Sequence, residues 1–156
     1  MARFRHLMAL FITYLPCSVG AQDYALTVTE NALPEKNLYI AFYPESAGGW
    51  EAEPSLELKF ELPPESKITF PFSIASGRYA VRAFVDLDAN GILNTQASGR
   101  PLEPFAIGIG NDRRRPSPSF RKSLREISNH HPTVELELRY PKGWQEVKRD
   151  SAAPPN

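Results

Sequence analysis

The sequence predicts an all-β protein, an antiparallel β-sandwich of about seven strands with one short helical turn. Three observations carry this reading. Apolar and polar residues alternate over several short stretches, turn residues separate those stretches at spacings of roughly ten residues, and a single stretch has helical periodicity. The 156 residues are 42% hydrophobic and 23% charged, which suffices for one domain with its own core, and the 15 prolines favour many turns.

The chain opens on an address. Arg3, Arg5 and His6 precede the apolar run 7–15, and Val19, Gly20 and Ala21 are the small residues that a signal peptidase accepts, so residues 1–21 are expected to be a signal peptide. Pro16 ends the apolar run well short of the about 20 residues a spanning helix needs. Cys17 follows Leu15 and Pro16, a poor lipoprotein signal, so soluble export with no transmembrane segment is expected. Without residues 1–21 the chain loses two arginines and no acid, and its net charge becomes −2. No basic footprint for nucleic acid remains. The single cysteine leaves with the signal, and Asn-x-Ser/Thr sites are absent, so a bacterial periplasm is the expected compartment, with the cell exterior as the alternative.

The domain is expected over residues 22–143. Tyr24, Leu26 and Val28 share one face of a strand over 24–29, and 38–43 is a continuous apolar run bounded by Asn37 and Pro44. In 56–62 the leucines and Phe60 alternate with Glu57, Lys59 and Glu61, which predicts a half-buried strand. Ile68, Phe70, Phe72 and Ile74 continue the pattern after Pro63-Pro64, while Pro71 restricts that strand to an edge. Residues 78–86 are apolar on both faces except Arg82, as in a central strand. Phe120, Leu124 and Ile127, at i, i+4 and i+7 after Ser117-Pro118, predict the one helix, with Ser117 as its cap. Val134, Leu136, Leu138 and Tyr140 form the last strand, ended by Pro141. Residues 144–156 lack apolar periodicity and are expected to be an unstructured tail.

One loop carries the chemistry. Asp86, Asp88, Asn90 and Asn94 place oxygens at positions 1, 3, 5 and 9 of a segment with Gly91 at position 6. Ca²⁺ takes six to eight oxygens, and alternate residues of a tight loop can point several inward while glycine permits the turn. Ile92 would add its backbone carbonyl and Glu103 a further carboxylate. Position 12 is Ala97, where an EF-hand has a bidentate Glu, so the expected ion is weakly held and structural. The same residues are also strong turn formers, and a plain hairpin turn is the competing reading.

The runs Gly77-Arg78-Tyr79-Ala80-Val81, Phe84-Val85-Asp86-Leu87-Asp88-Ala89-Asn90-Gly91-Ile92-Leu93-Asn94 and Gly99-Arg100-Pro101-Leu102-Glu103-Pro104-Phe105, with Ser119-Phe120 beyond, resemble the bacterial exported domain family of unknown function 2141. The resemblance covers roughly residues 26–140 and implies a transthyretin-like or immunoglobulin-like β-sandwich, with no activity to carry over. Val85 and Asn94 depart from the family's usual His and Asp, which removes two possible ligands.

Other constellations point less far. His130 and His131 are adjacent and without a third ligand, Arg113-Arg114-Arg115 sits in a Pro-rich stretch, and Gly108-x-Gly110 lacks the rest of a dinucleotide fingerprint. Trp50, Tyr43 and Trp144 could stack on a sugar or peptide, and an envelope-acting hydrolase would have to draw on His130, His131, Asp86 and Glu103. The expectation is therefore a non-catalytic exported binding or structural module with a weak calcium loop and a cell-envelope protein or glycan as partner. A carbohydrate- or peptide-binding module is the alternative, and an envelope hydrolase stands behind it.

Overall fold

Alternation in the sequence becomes a pleat that buries one face of each strand. The computed structural model describes residues 21–108 and 118–142. Strand β1 (Gln22–Thr29) sends Tyr24, Leu26 and Val28 into the core; β2 (Asn37–Pro44) contributes Leu38, Ile40 and Phe42. A 3-10 turn (Glu45–Ala47) follows, then β3 (Leu56–Glu61), β4 (Ile68–Ile74) and β5 (Gly77–Asp86), whose Tyr79, Val81, Ala83 and Val85 line the same core. The chain closes with β6 (Phe105–Ile107), the single turn α1 (Phe120–Ser123), β7 (Arg125–Ile127) and β8 (Thr133–Glu137).

Two sheets face each other. One has the order β4-β1-β8; the other runs β3-β2-β5-β6, with β7 also on β5. Phe42 of one sheet meets Phe72 of the other at 4.9 Å between ring centroids, and Phe72 in turn touches Tyr24 at 5.7 Å. Along one side, Phe60 of β3 stacks on Phe70 of β4 at 4.1 Å and closes the gap between the sheets. The expected strands 24–29, 38–43, 56–62, 68–74 and 78–86 are all present within a residue or two. Among the described residues β4 pairs only with β1, so Pro71 lies on an edge as its missing N–H requires.

Three features differ from the sequence expectation. First, the pairing of β1 with β8 is parallel, Leu26 lying opposite Val134, whereas the other ladders are antiparallel. Alternation alone fixes which face is buried and is silent on strand direction. Second, the helix stops after Ser123: Leu124 is extended, and Ile127 belongs to β7. Phe120 and Leu124 cover the outer face of the second sheet while Ile127 enters the main core, so one apolar spacing serves two layers. Ser119 rather than Ser117 precedes the helix, and it makes no side-chain cap bond. Third, β6 and β7 are only three residues each and were not expected. They lie end to end on the same edge of β5, and their register differs by fifteen residues. Residues 1–20 of the signal peptide expected at 1–21, together with Arg113-Arg114-Arg115, Ser117, Trp144 and the tail 144–156, lie outside the described residues.

Polar clamps fix the loops at one end of the sandwich. Asn31, 6% exposed, donates from Nδ2 to the carbonyls of Pro63 and Glu65 and accepts from Leu33 N–H at 3.1 Å. The Tyr140 hydroxyl donates to Glu30 O at 2.6 Å and accepts from Ala32 N–H at 2.9 Å. Tyr140→Phe removes both bonds, and a loss of about 1–3 kcal/mol in chemical denaturation is expected. The same residue gives a pH signature. Burial raises the pKa of Tyr140 above its ordinary value of 10.0, a rise that Ala32 N–H partly offsets and nearby Glu30 reinforces; burial likewise raises Tyr79, beside Tyr24. A raised folded-state value means that stability is complete below pH 10 and falls as pH rises from there through the folded-state pKa. The alkaline limb of a stability profile is therefore expected to flatten in Tyr140→Phe and in Tyr79→Phe.

Candidate functional site

The β5–β6 connection, residues 87–104, begins where β5 runs out of the sheet. Asp86, the last residue of β5, is 2% exposed, and the loop is folded around its carboxylate. Asp86 Oδ1 accepts the Asn90 N–H at 3.2 Å and Oδ2 accepts the Gly91 N–H at 2.9 Å. These bonds hold Ala89 and Gly91 in the left-handed region, at φ 62° and 74°. For Ala89 that conformation carries a cost of about 1–2 kcal/mol, which the carboxylate bonds offset. The Asn90 carboxamide is tied on both sides: Oδ1 accepts Ile92 N–H at 2.6 Å, and Nδ2 donates to Asp88 Oδ2 at 2.9 Å and to Asn94 Oδ1 at 3.3 Å. Asn94 Nδ2 donates to the same Asp88 oxygen at 2.9 Å.

Glu103 holds the two ends of this segment together. It is 2% exposed; Oε1 accepts Leu87 N–H at 2.8 Å and Oε2 accepts Asn94 N–H at 2.9 Å. The Leu102 N–H returns to the Asn94 carbonyl, and Val85 N–H to the Pro104 carbonyl, both at 2.8 Å, so Glu103 sits at the base of a closed loop. One carboxylate oxygen from each of Asp86, Asp88 and Glu103 falls within a span of 4.8 Å. Asp88 is exposed, while Asp86 and Glu103 are buried, so the cluster opens to solvent on the Asp88 side.

The expected ligand set is thus brought together in large part. Asp86, Asp88 and Glu103 converge, and Asn90 and Asn94 hydrogen-bond to Asp88. Ile92 enters the network through its N–H, and its side chain is 67% exposed. Ala97 lies in the outer turn between Thr95 and Pro101, away from the three clustered carboxylates. Each carboxylate oxygen of Asp86 and Glu103 accepts one amide and keeps a lone pair, whereas Asp88 Oδ2 already accepts two carboxamide donors; carboxylate oxygens of this kind suit a hard cation such as Ca²⁺. The same bonds also make the loop a self-sufficient turn. Two neighbours have no signal in the sequence: Lys36 Nζ donates to Leu87 O at 3.0 Å, and the Tyr39 ring lies beneath Gly91, where an added Cβ would stand 3.6 Å from the Tyr39 hydroxyl.

The remaining candidates are placed elsewhere. Tyr43 is 3% exposed, and Trp50 meets it edge-on at 5.5 Å and Phe120 at 5.4 Å, so both rings fill a satellite core on the outer face of the second sheet. The Arg82 guanidinium lies over Tyr43 at 4.7 Å and Trp50 at 5.6 Å, which places the charge of the central strand on this face. His130 and His131 are exposed beside a tight turn closed by Ser128 and His131. That turn follows β7, which pairs with the Gly77 end of β5, whereas Asp86 is at the other end. Ten extended residues separate the two by roughly 30 Å, so the histidines and the carboxylates do not form one constellation.

Fold and site together define a β-sandwich domain with a carboxylate-centred loop between β5 and β6. The chain belongs to the family described as "Uncharacterized protein conserved in bacteria (DUF2141)", whose family model matches residues 26–135. No curated protein and no solved structure matches it.

Proposed function

We propose that this is a non-catalytic module exported to the bacterial periplasm, in which residues 86–94 with Glu103 hold a weak structural Ca²⁺ and the surface serves an envelope protein or glycan. The observation that supports the ion is the convergence of Asp86, Asp88 and Glu103 within 4.8 Å. Such clustered negative charge is relieved by a divalent cation, and an affinity of roughly 10⁻⁴ to 10⁻³ M would match calcium-rich exteriors.

Thermal unfolding tests the reading. Relative to EDTA, Ca²⁺ at about ten times its Kd adds about 1.4 kcal/mol, a rise in midpoint of roughly 5 °C for a domain of this size. Mg²⁺, which demands tighter octahedral geometry, is expected to add less. Asp88→Asn, at the exposed corner of the cluster, is expected to keep the fold and abolish the rise. An equal midpoint in EDTA and in calcium would reduce the loop to a turn.

A further inference from the structure

The loop also contains a chemically reactive dipeptide held in check. In Asn90-Gly91 no side chain shields the glycine nitrogen, so that nitrogen can attack the Asn90 Cγ once it loses its proton. The new N–Cγ bond closes a succinimide, the Cγ–Nδ2 bond breaks and ammonia leaves. Water then opens the ring at either carbonyl to give aspartate or isoaspartate, and no electrons are exchanged. Both reactants are exposed to solvent, so burial does not protect them. Hydrogen bonds do. The Gly91 N–H that must be lost is donated to the Asp86 carboxylate at 2.9 Å, and an anionic acceptor opposes deprotonation. The Asn90 carboxamide that must rotate is fixed by Ile92, Asp88 and Asn94.

We propose that Asn90 is a masked deamidation site, kept intact by the Asp86-centred bonds and released when the loop opens. The aspartate product adds a carboxylate beside Asp86, Asp88 and Glu103. The isoaspartate product routes the backbone through Cβ and displaces the Ile92 N–H from its acceptor. Loop opening would thus leave a permanent chemical record.

The test is peptide mapping by mass spectrometry of the intact chain aged in mildly alkaline buffer, with a chelator present so that the result is independent of ion binding. Deamidation at Asn90 is expected to be about tenfold or more slower in the native protein than in urea, since it must await local opening. Asp86→Asn, with its fold checked by circular dichroism, is expected to age severalfold faster than the wild type. Equal rates in native buffer and urea would overturn the proposal without recourse to any variant. A folded Asp86→Asn protein that ages as slowly as the wild type would overturn the role of Asp86.

Discussion

Glu103→Ala is expected to lower the free energy of unfolding by about 3–5 kcal/mol, since it strips two amides of acceptors and leaves the base of the loop open. The Leu87 and Asn94 N–H groups are held at 2.8 and 2.9 Å by a carboxylate that is 2% exposed. A smaller opposing term comes from Asp86 and Asp88, whose repulsion with Glu103 the substitution relieves. Glu103→Gln separates the two effects: it removes the charge and keeps one acceptor oxygen, so a loss of about 1–3 kcal/mol is expected. Urea denaturation of both variants in EDTA measures the difference. A Glu103→Ala protein as stable as the wild type would show that water reaches those amides and that Glu103 does not organise the loop.

Phe42→Ala is expected to cost about 3–5 kcal/mol, because a fully buried ring is deleted where the two sheets meet. Phe42 has no exposed surface and contacts Phe72 across the sandwich. Trp50→Ala makes the informative contrast. Trp50 is larger, but it is half-buried in the satellite cluster on the outer face with Tyr43, Ala80, Phe120 and Leu124. Its loss is expected to cost about 1–2 kcal/mol, less than burial of a full side chain would give. Hydrogen exchange separates the two cases: Phe42→Ala weakens protection in both sheets, and Trp50→Ala only near residues 45–55 and α1.

The strands that the sequence made legible are those long enough to repeat a pattern. Leu56 to Leu62 and Ile68 to Ile74 alternate over enough residues to reveal a buried face, and Pro71 marks the edge correctly. β6 and β7 escaped because three residues cannot show a period, and they are strands only because β5 offers them an open edge. Phe120, Leu124 and Ile127 misled for a related reason: an i, i+4, i+7 spacing fits a helix, but also a single turn followed by a strand that crosses into another layer. The candidate site was legible in composition, from Asp86 to Glu103, because turn chemistry leaves a local signature. Its wiring was not, since Glu103 bonds to both ends of a segment that lies before it in the chain.

The parallel pairing of β1 with β8 bears on how the chain acquires its structure. β1 is the middle strand of its sheet, and one of its two partners is β8, the last strand among the described residues, Ala25 pairing with Thr133. Such a ladder has very high contact order, so folding is expected in the slow, millisecond-to-second range of β-sandwiches. Until residues 133–137 are available, the Leu26 and Val28 strand keeps an unpaired edge, the kind of surface that invites association with other chains. A chain that emerges from its N-terminus can pair β1 with β4 early, but it completes this sheet only when β8 becomes available.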